Sequence, residues 1–220
     1  YMVETQSISI LEMATKGGWI MIVLLILSIV ALYIFGKKWW IISSAEKNDK
    51  DFMKAIKDYL LDGKVKSAKA LCGKFDSPIA RMIETGIARI GKPLSDVQTA
   101  VDNVGNAEIA RLENGLPYLA TIAGGAPMLG FLGTVTGMIK AFFNMANAGN
   151  NIDISLLSGG IYEAMITTVG GLIVGLIAYF AYNFLTAKVS NVVFKMENAT
   201  IDFMSLLSET SGEKTDTANE

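Results

Sequence analysis

Histidine is absent from this 220-residue chain, and Cys72 is its only cysteine. Without a second thiol no disulfide can form within the chain, and without imidazoles no His/Cys metal cluster can be built. Charge is scarce too: 18% of residues are Asp, Glu, Lys or Arg, against about 25% in an ordinary soluble domain. The net charge of −2 offers nothing to a nucleic acid. Three runs, 17–36, 114–139 and 164–187, contain no Asp, Glu, Lys or Arg at all. Each reaches the ~20 residues that a helix needs to cross about 30 Å of hydrocarbon. Buried helices of a soluble core would keep polar residues along one face, and these runs have almost none. The chain therefore reads as an all-α membrane protein with three transmembrane helices, long cytoplasmic helical extensions and a helical cytoplasmic domain.

The stretch before the first run, "YMVETQSISILEMATK", carries acids and no basic n-region, and no clear cleavage site follows. The first span thus reads as a retained anchor, not a signal peptide. "KKWW" follows it, with Trp39 and Trp40 suited to the headgroup layer. Twelve Lys and Arg lie in 46–115 and none in 141–162. By the positive-inside rule 46–115 and the C-terminus are cytoplasmic, and the N-terminus and the turn between spans two and three are outside. The division that follows is an outer N-terminal segment over 1–16, a first span over 17–43 and a cytoplasmic helical domain over 44–115. A second span covers 116–143, an outer turn 144–162 and a third span 163–187. A cytoplasmic helical extension over 188–208 and a disordered polar tail over 209–220 complete it.

The cytoplasmic part shows helical periodicity. Phe52, Ile56 and Tyr59/Leu60 share a face and Gly63 follows as a stop; Val65, Ala68, Leu71 and Phe75 repeat the pattern. Cys72, in the latter helix, reads as a buried structural thiol. Ser77 is placed as an N-cap with Pro78 at the first helical position, ahead of a face of Ile79, Met82, Ile83, Ile87 and Ile90. Ser95 and Gln98 have capping-box spacing. No firm stop follows, so one helix is expected from 95 to about 146, with Pro117 and Pro127 free to kink it without ending it.

Within the second run, Gly130, Gly133 and Gly137 share a face flanked by Thr134 and Thr136. The third repeats the arrangement with Thr168, Gly171 and Gly175, and with Thr167 beside them. Membrane helices associate through close backbone approach at small residues, so these faces predict helix packing and assembly of a homo-oligomer through them. Glu163 begins the third run. It reads either as an interfacial carboxylate at a helix start, stabilised by the dipole, or as a functional group facing a bundle interior. Lys140, three residues beyond Gly137, is placed to face it across the outer mouth.

"APMLGFLGTVTGMI" in the second span, and "GGIYEAMITTVGGL" through "AYN" in the third, resemble the ExbB/TolQ family of proton-channel subunits. The three spans, the N-outside topology and the large first cytoplasmic loop extend the resemblance to nearly the whole chain. Carried over by position, Thr134, Glu163 and Thr168 match polar residues along the family's pore, and Pro127 and Asn183 match too. The sequence departs from the family pattern in lacking a proline near Ile177, and in having Thr167 where a small apolar residue is expected. The resemblance implies a pentameric ring in the bacterial inner membrane, with spans two and three lining the pore and span one outside. It implies an ExbD/TolR-like single-span partner supplying a membrane aspartate, a TonB/TolA-like transducer across the periplasm, and no cofactor.

The residues speak to one part of this by themselves. No Asp, Glu, Lys or His lies deep within any span; Glu163 and Lys140 are both near the outer end. Glycine and threonine can line a wet passage but cannot hold a proton near neutral pH. The chain reads as half of a proton device whose carboxylate comes from another polypeptide. Use of the proton motive force for TonB-dependent outer-membrane transport is the leading expectation, with a TolQ-like role in envelope maintenance or a non-conducting membrane scaffold as alternatives. A flagellar stator subunit fits less well, since that branch has four spans. An enzyme fits poorly, for want of a metal cluster or a nucleophile–base pair.

Overall fold

The computed structural model describes residues 18–46, 49–147 and 154–216, and every regular element among them is helical. In chain order these are α1 (Gly18–Ala45), α2 (Asp49–Leu61), α3 (Val65–Cys72), α4 (Pro78–Ile87), α5 (Leu94–Glu113), α6 (Leu116–Asn147) and α7 (Ile154–Asp216). Three helical stretches, within α1, α5–α6 and α7, are long and apolar enough to cross a membrane. The chain divides into two compact units, Tyr1–Gly36 with Gly115–Phe184, and Lys37–Asn114 with Leu185–Glu220.

The first unit is built on α7. Its residues 163, 170 and 184 meet 18, 21 and 35 of α1 in the same order, so these helices run parallel. Against α6 the order reverses: Gly160 meets Ala141, Ala164 meets Gly137, Gly171 meets Gly130, and Gly175 meets Ala123. Two crossings in one direction and one in the other are what three sequential spans require.

The second unit has its own apolar core. Ile56 of α2, Ile79 and Ile83 of α4, Val97 and Val101 of α5 and Val192, Met196 and Phe203 of α7 are all under 2% exposed. Gly86 makes room for the Phe203 ring, since a Cβ there would lie 2.8 Å from its Cζ and 3.1 Å from Val101 Cγ2. Arg81 clamps α4 to α5 with two bonds to Glu108, Nε to Oε1 at 2.8 Å and Nη2 to Oε2 at 2.7 Å. This fork geometry holds the guanidinium pKa above its ordinary value. Beyond the end of α1, Glu46 accepts from Lys188 at 3.2 Å and from Asn191 at 3.1 Å on α7. The Lys188 bond is the main reason its carboxyl lies below the usual range.

Several expected boundaries move. Ser77 caps α4 as expected, accepting from the Ala80 amide at 3.2 Å. Ser95 and Gln98 form no capping box, because the cap of α5 lies two residues earlier, at Pro93, whose carbonyl takes the Asp96 and Val97 amides. The single helix expected from 95 to 146 is broken. Asn114 leaves helical geometry (ψ 127°) and Gly115 has φ +94°, which a side chain would oppose. Neither proline ends a helix: Pro117 sits in the first turn of α6, where an amide would lack a partner anyway, and Pro127 lies within it. Val65 is 37% exposed, so the buried stripe of α3 is Ala68 and Cys72. α7 begins at Ile154, nine residues before Glu163, and runs to Asp216, so 209–216, expected as a disordered tail, is helical. A helix already nucleated propagates through polar residues at little cost. Residues 1–17, 47–48, the centre of the expected outer turn (148–153) and 217–220 lie outside the described residues.

Cys72 is 2% exposed, and burial, helped by Glu84, pushes its thiol up to about 11. A thiol held neutral and covered reacts slowly. The native chain should therefore resist maleimide at pH 8 and label fully once denatured. Rapid labelling of the folded protein would contradict this burial.

Candidate functional site: the seam between the second and third spans

The α6–α7 seam is made of backbone against backbone. A Cβ on Gly171 would stand 2.6 Å from the Ala126 carbonyl oxygen and 2.8 Å from Gly130 Cα. One on Gly130 would stand 2.8 Å from the Thr167 carbonyl oxygen and 3.1 Å from Thr168 Cα. Gly137 lies against Ala164, and Gly175 against Pro127 and the Ala123 carbonyl. Gly133 accommodates the whole Thr167 side chain, which is 2% exposed and returns its hydroxyl to the Ala164 carbonyl at 2.7 Å. The departure at Thr167 thus has a physical reason: the extra bulk on α7 fits the missing side chain on α6. Ala126, Ala141, Ala164 and Gly160 belong to the same seam and were not singled out from sequence. Their signal was the three-four spacing of small residues, which runs on past the glycines in both directions.

This geometry corrects the expectation that the glycine faces join separate subunits. They are spent within one chain, and any assembly of copies must use other faces. α6 offers such faces, with Met128, Phe131, Ile139 and Phe143 all more than 60% exposed. An apolar cavity of about 620 Å³ lies between Leu27 of α1 and α6, lined by Ile122, Met128, Leu129 and Leu132 among others.

Two of the three expected pore residues share one flank of the seam. Thr168 donates from its hydroxyl to the Gly130 carbonyl across the seam at 3.2 Å. Thr134, one turn beyond Gly130, donates to the Phe131 carbonyl of its own helix at 2.6 Å. Thr134 follows the seam residue Gly133, and Thr168 follows the seam residue Thr167. Because the helices are antiparallel, one further step along each chain turns to the same side. Thr136, one residue before the seam residue Gly137, turns about 100° off it in the opposite sense and bonds Leu132 and Gly133 of its own helix.

Glu163 lies elsewhere. Its Oε1 would be 2.7 Å from a Cβ on Gly18, the first described residue of α1, and Gly170, two turns on, faces Met21 and Leu24. That stripe of α7 meets α1, so the carboxylate stands on the α1 side of the seam, away from Thr168. It is also nine residues into α7, which removes the reading of a helix-start carboxylate. Lys140 is exposed and makes no ion pair with Glu163 among the described residues. Asn183 donates to the Tyr179 carbonyl of its own helix at 2.9 Å. No group of three His, Cys, Asp or Glu gathers among the described residues.

The sequence that builds this seam is similar to those of known proteins. A biopolymer transport protein of Synechocystis named ExbB-like 1 is 29% identical over 185 residues, 83% of this chain and 73% of its own length. An ExbB homolog of Methanothermobacter thermautotrophicus is 26% identical, covering 86% of this chain and 67% of its own. The Tol-Pal system protein TolQ of Haemophilus influenzae is 36% identical over 102 residues, 46% of this chain and 44% of its own. The profile of the MotA/TolQ/ExbB proton channel family matches residues 74–198, which take in α4, α5, α6 and most of α7. That match covers more than half of the chain and the whole seam, and the chain belongs to the MotA/TolQ/ExbB proton channel family.

Proposed function

We propose that the chain is the pore-forming subunit of a proton-driven motor in the bacterial inner membrane, ExbB-like in role. Five copies surround the passage, and the Thr134–Thr168 flank of each seam faces it. A single-span ExbD-like partner stands inside and supplies the carboxylate that takes and releases the proton. The stored proton motive force is passed to a TonB-like transducer that energises outer-membrane transport. Glu163 stands at the outer end, beside the first span, and its role is separate from that of the two threonines. The unit containing 46–115 is cytoplasmic, the N-terminus and the turn before α7 are periplasmic, and 188–208 extends into the cytoplasm.

One observation supports this most strongly. Hydroxyls line a flank of the seam at a depth where the spans hold no Asp, Glu, Lys or Arg. With their protons given to backbone carbonyls, these hydroxyls keep lone pairs that can hold water by accepting hydrogen bonds, yet cannot themselves carry charge. The TolQ-like reading shares this geometry and draws on the TolQ relative among the matches.

The test is co-purification. The tagged chain, expressed with its genomic neighbours, should retain a single-span protein bearing a membrane aspartate. Exchanging that aspartate for asparagine should keep the complex and abolish coupling. A chain that purifies without any such protein favours the scaffold. Orientation is read at Lys66→Cys, an exposed position, since Cys72 is too buried to report. Labelling by an impermeant reagent is expected only when the cytoplasmic face is opened.

A further inference from the structure

Trp19 and Trp40 of α1 are 65% and 79% exposed. They lie 21 residues apart in the sequence, at the two ends of the first span, and about 20 residues is what a helix needs to cross the hydrocarbon. Tryptophans so spaced belong in the two headgroup layers. Beside Trp40, wholly within the second unit, is a cavity of about 250 Å³ whose lining includes Ser44, Arg81, Glu108 and Arg111. Apolar Ile41 and Leu112 complete part of its wall.

The charges there are unequally satisfied. Both oxygens of Glu108 are engaged by Arg81 at 2.8 and 2.7 Å. Arg111, 66% exposed along its side chain, approaches the same carboxylate only to 3.8 Å. Asp76, at the rim and 94% exposed, is bonded to Arg81 as well. Lys38, 9% exposed, donates to the Arg111 and Leu112 carbonyls at 3.1 and 3.4 Å, adding a cation behind the wall. Three cations (Lys38, Arg81, Arg111) thus face two carboxylates (Asp76, Glu108), and Arg81 occupies both carboxylates.

We propose that this cavity binds the phosphodiester headgroup of an anionic phospholipid. Arg111 is the principal phosphate ligand, with the Trp40 indole N–H and the Ser44 hydroxyl as further donors. A guanidinium fork suits phosphate oxygens better than a point charge does. The apolar wall admits the start of the acyl chains, and basic pockets at the inner ends of spans are where anionic lipids are recognised. The proposal rests on the membrane placement of α1 and is independent of the motor reading.

The test uses the full chain, delipidated in detergent and titrated with phosphatidylglycerol or phosphatidylcholine under native mass spectrometry. Phosphatidylglycerol should bind the wild type about five-fold more tightly than phosphatidylcholine. Arg111→Gln should remove that preference at unchanged oligomeric mass and melting temperature, and Arg89→Gln, an exposed arginine outside the cavity lining, should keep it. Millimolar inorganic phosphate should not displace the lipid. Equal binding of the two lipids by the wild type overturns the proposal even if Arg111→Gln fails to fold. So does a preference that survives in Arg111→Gln, a loss that is equal in Arg89→Gln, or displacement by inorganic phosphate.

Discussion

Gly171→Ala is expected to separate the second and third spans, lowering stability by about 3 kcal/mol, the upper end of what overpacking costs. The new methyl would meet the Ala126 carbonyl oxygen at 2.6 Å, Gly130 Cα at 2.8 Å and Gly130 N at 3.0 Å. All three are backbone atoms, so no rotamer change can relieve the contact. Gly130→Ala meets the same obstruction from the other side, with the Thr167 carbonyl oxygen at 2.8 Å. Helices in lipid lack a hydrophobic force between them, so loss of close approach removes most of what holds this pair together. Gly124→Ala and Gly125→Ala are the controls, because a Cβ at either meets nothing within 4 Å. They should be neutral, or slightly stabilising through helix propensity. Melting temperatures in detergent compare the four variants. A Gly171→Ala protein as stable as Gly124→Ala would refute the tight seam. Because the glycine face is consumed inside each chain, any loss of oligomer in Gly171→Ala follows from a damaged subunit.

Thr134→Val should lower partner-dependent activity at least about ten-fold, roughly 1.4 kcal/mol of barrier, while stability and oligomeric mass stay unchanged. Among the described residues the Thr134 hydroxyl bonds the Phe131 carbonyl of its own helix, so valine keeps the shape and costs the fold little. A functional loss would then report the missing polar surface. Thr168→Val should lose activity to a similar degree, with a small destabilisation as well, since its hydroxyl crosses the seam to Gly130. Bonds of that kind in membrane proteins average about 0.6 kcal/mol. Thr136→Val changes the same chemistry on the opposite side of α6 and should leave activity intact. Full coupling in both Thr134→Val and Thr168→Val, at wild-type expression, would leave helix packing as a sufficient role for the hydroxyls.

Much of this architecture was written in the absence of charge, because three uncharged runs of membrane length admit few other folds. Ser77–Pro78 announced the start of α4 because cap chemistry is local. The glycine spacing announced a seam, although not that both sides belong to one chain; which helix a small-residue face meets is decided in three dimensions. Asn114–Gly115 is itself a turn signal, yet it opens an uncharged run, and the apolar pattern beyond it concealed the break. Gly159–Gly160 misled in the opposite sense. Read as part of a turn, the pair lies inside α7, where Gly160 admits Ala141 of α6. That error placed Glu163 at a helix start. Its true neighbour, Gly18, is 145 residues away in the chain, and no local pattern could have indicated it.

The central claim is that this chain forms a lined passage that conducts only when another polypeptide supplies a titratable group. Proton flux into liposomes, driven by an imposed potential, tests it most directly. Wild-type chain alone should give flux near that of empty liposomes. Chain with its single-span partner should conduct, and the partner's aspartate-to-asparagine form or Thr134→Val should return the signal to the baseline. Equal proton flux through the chain with and without the partner would contradict the account.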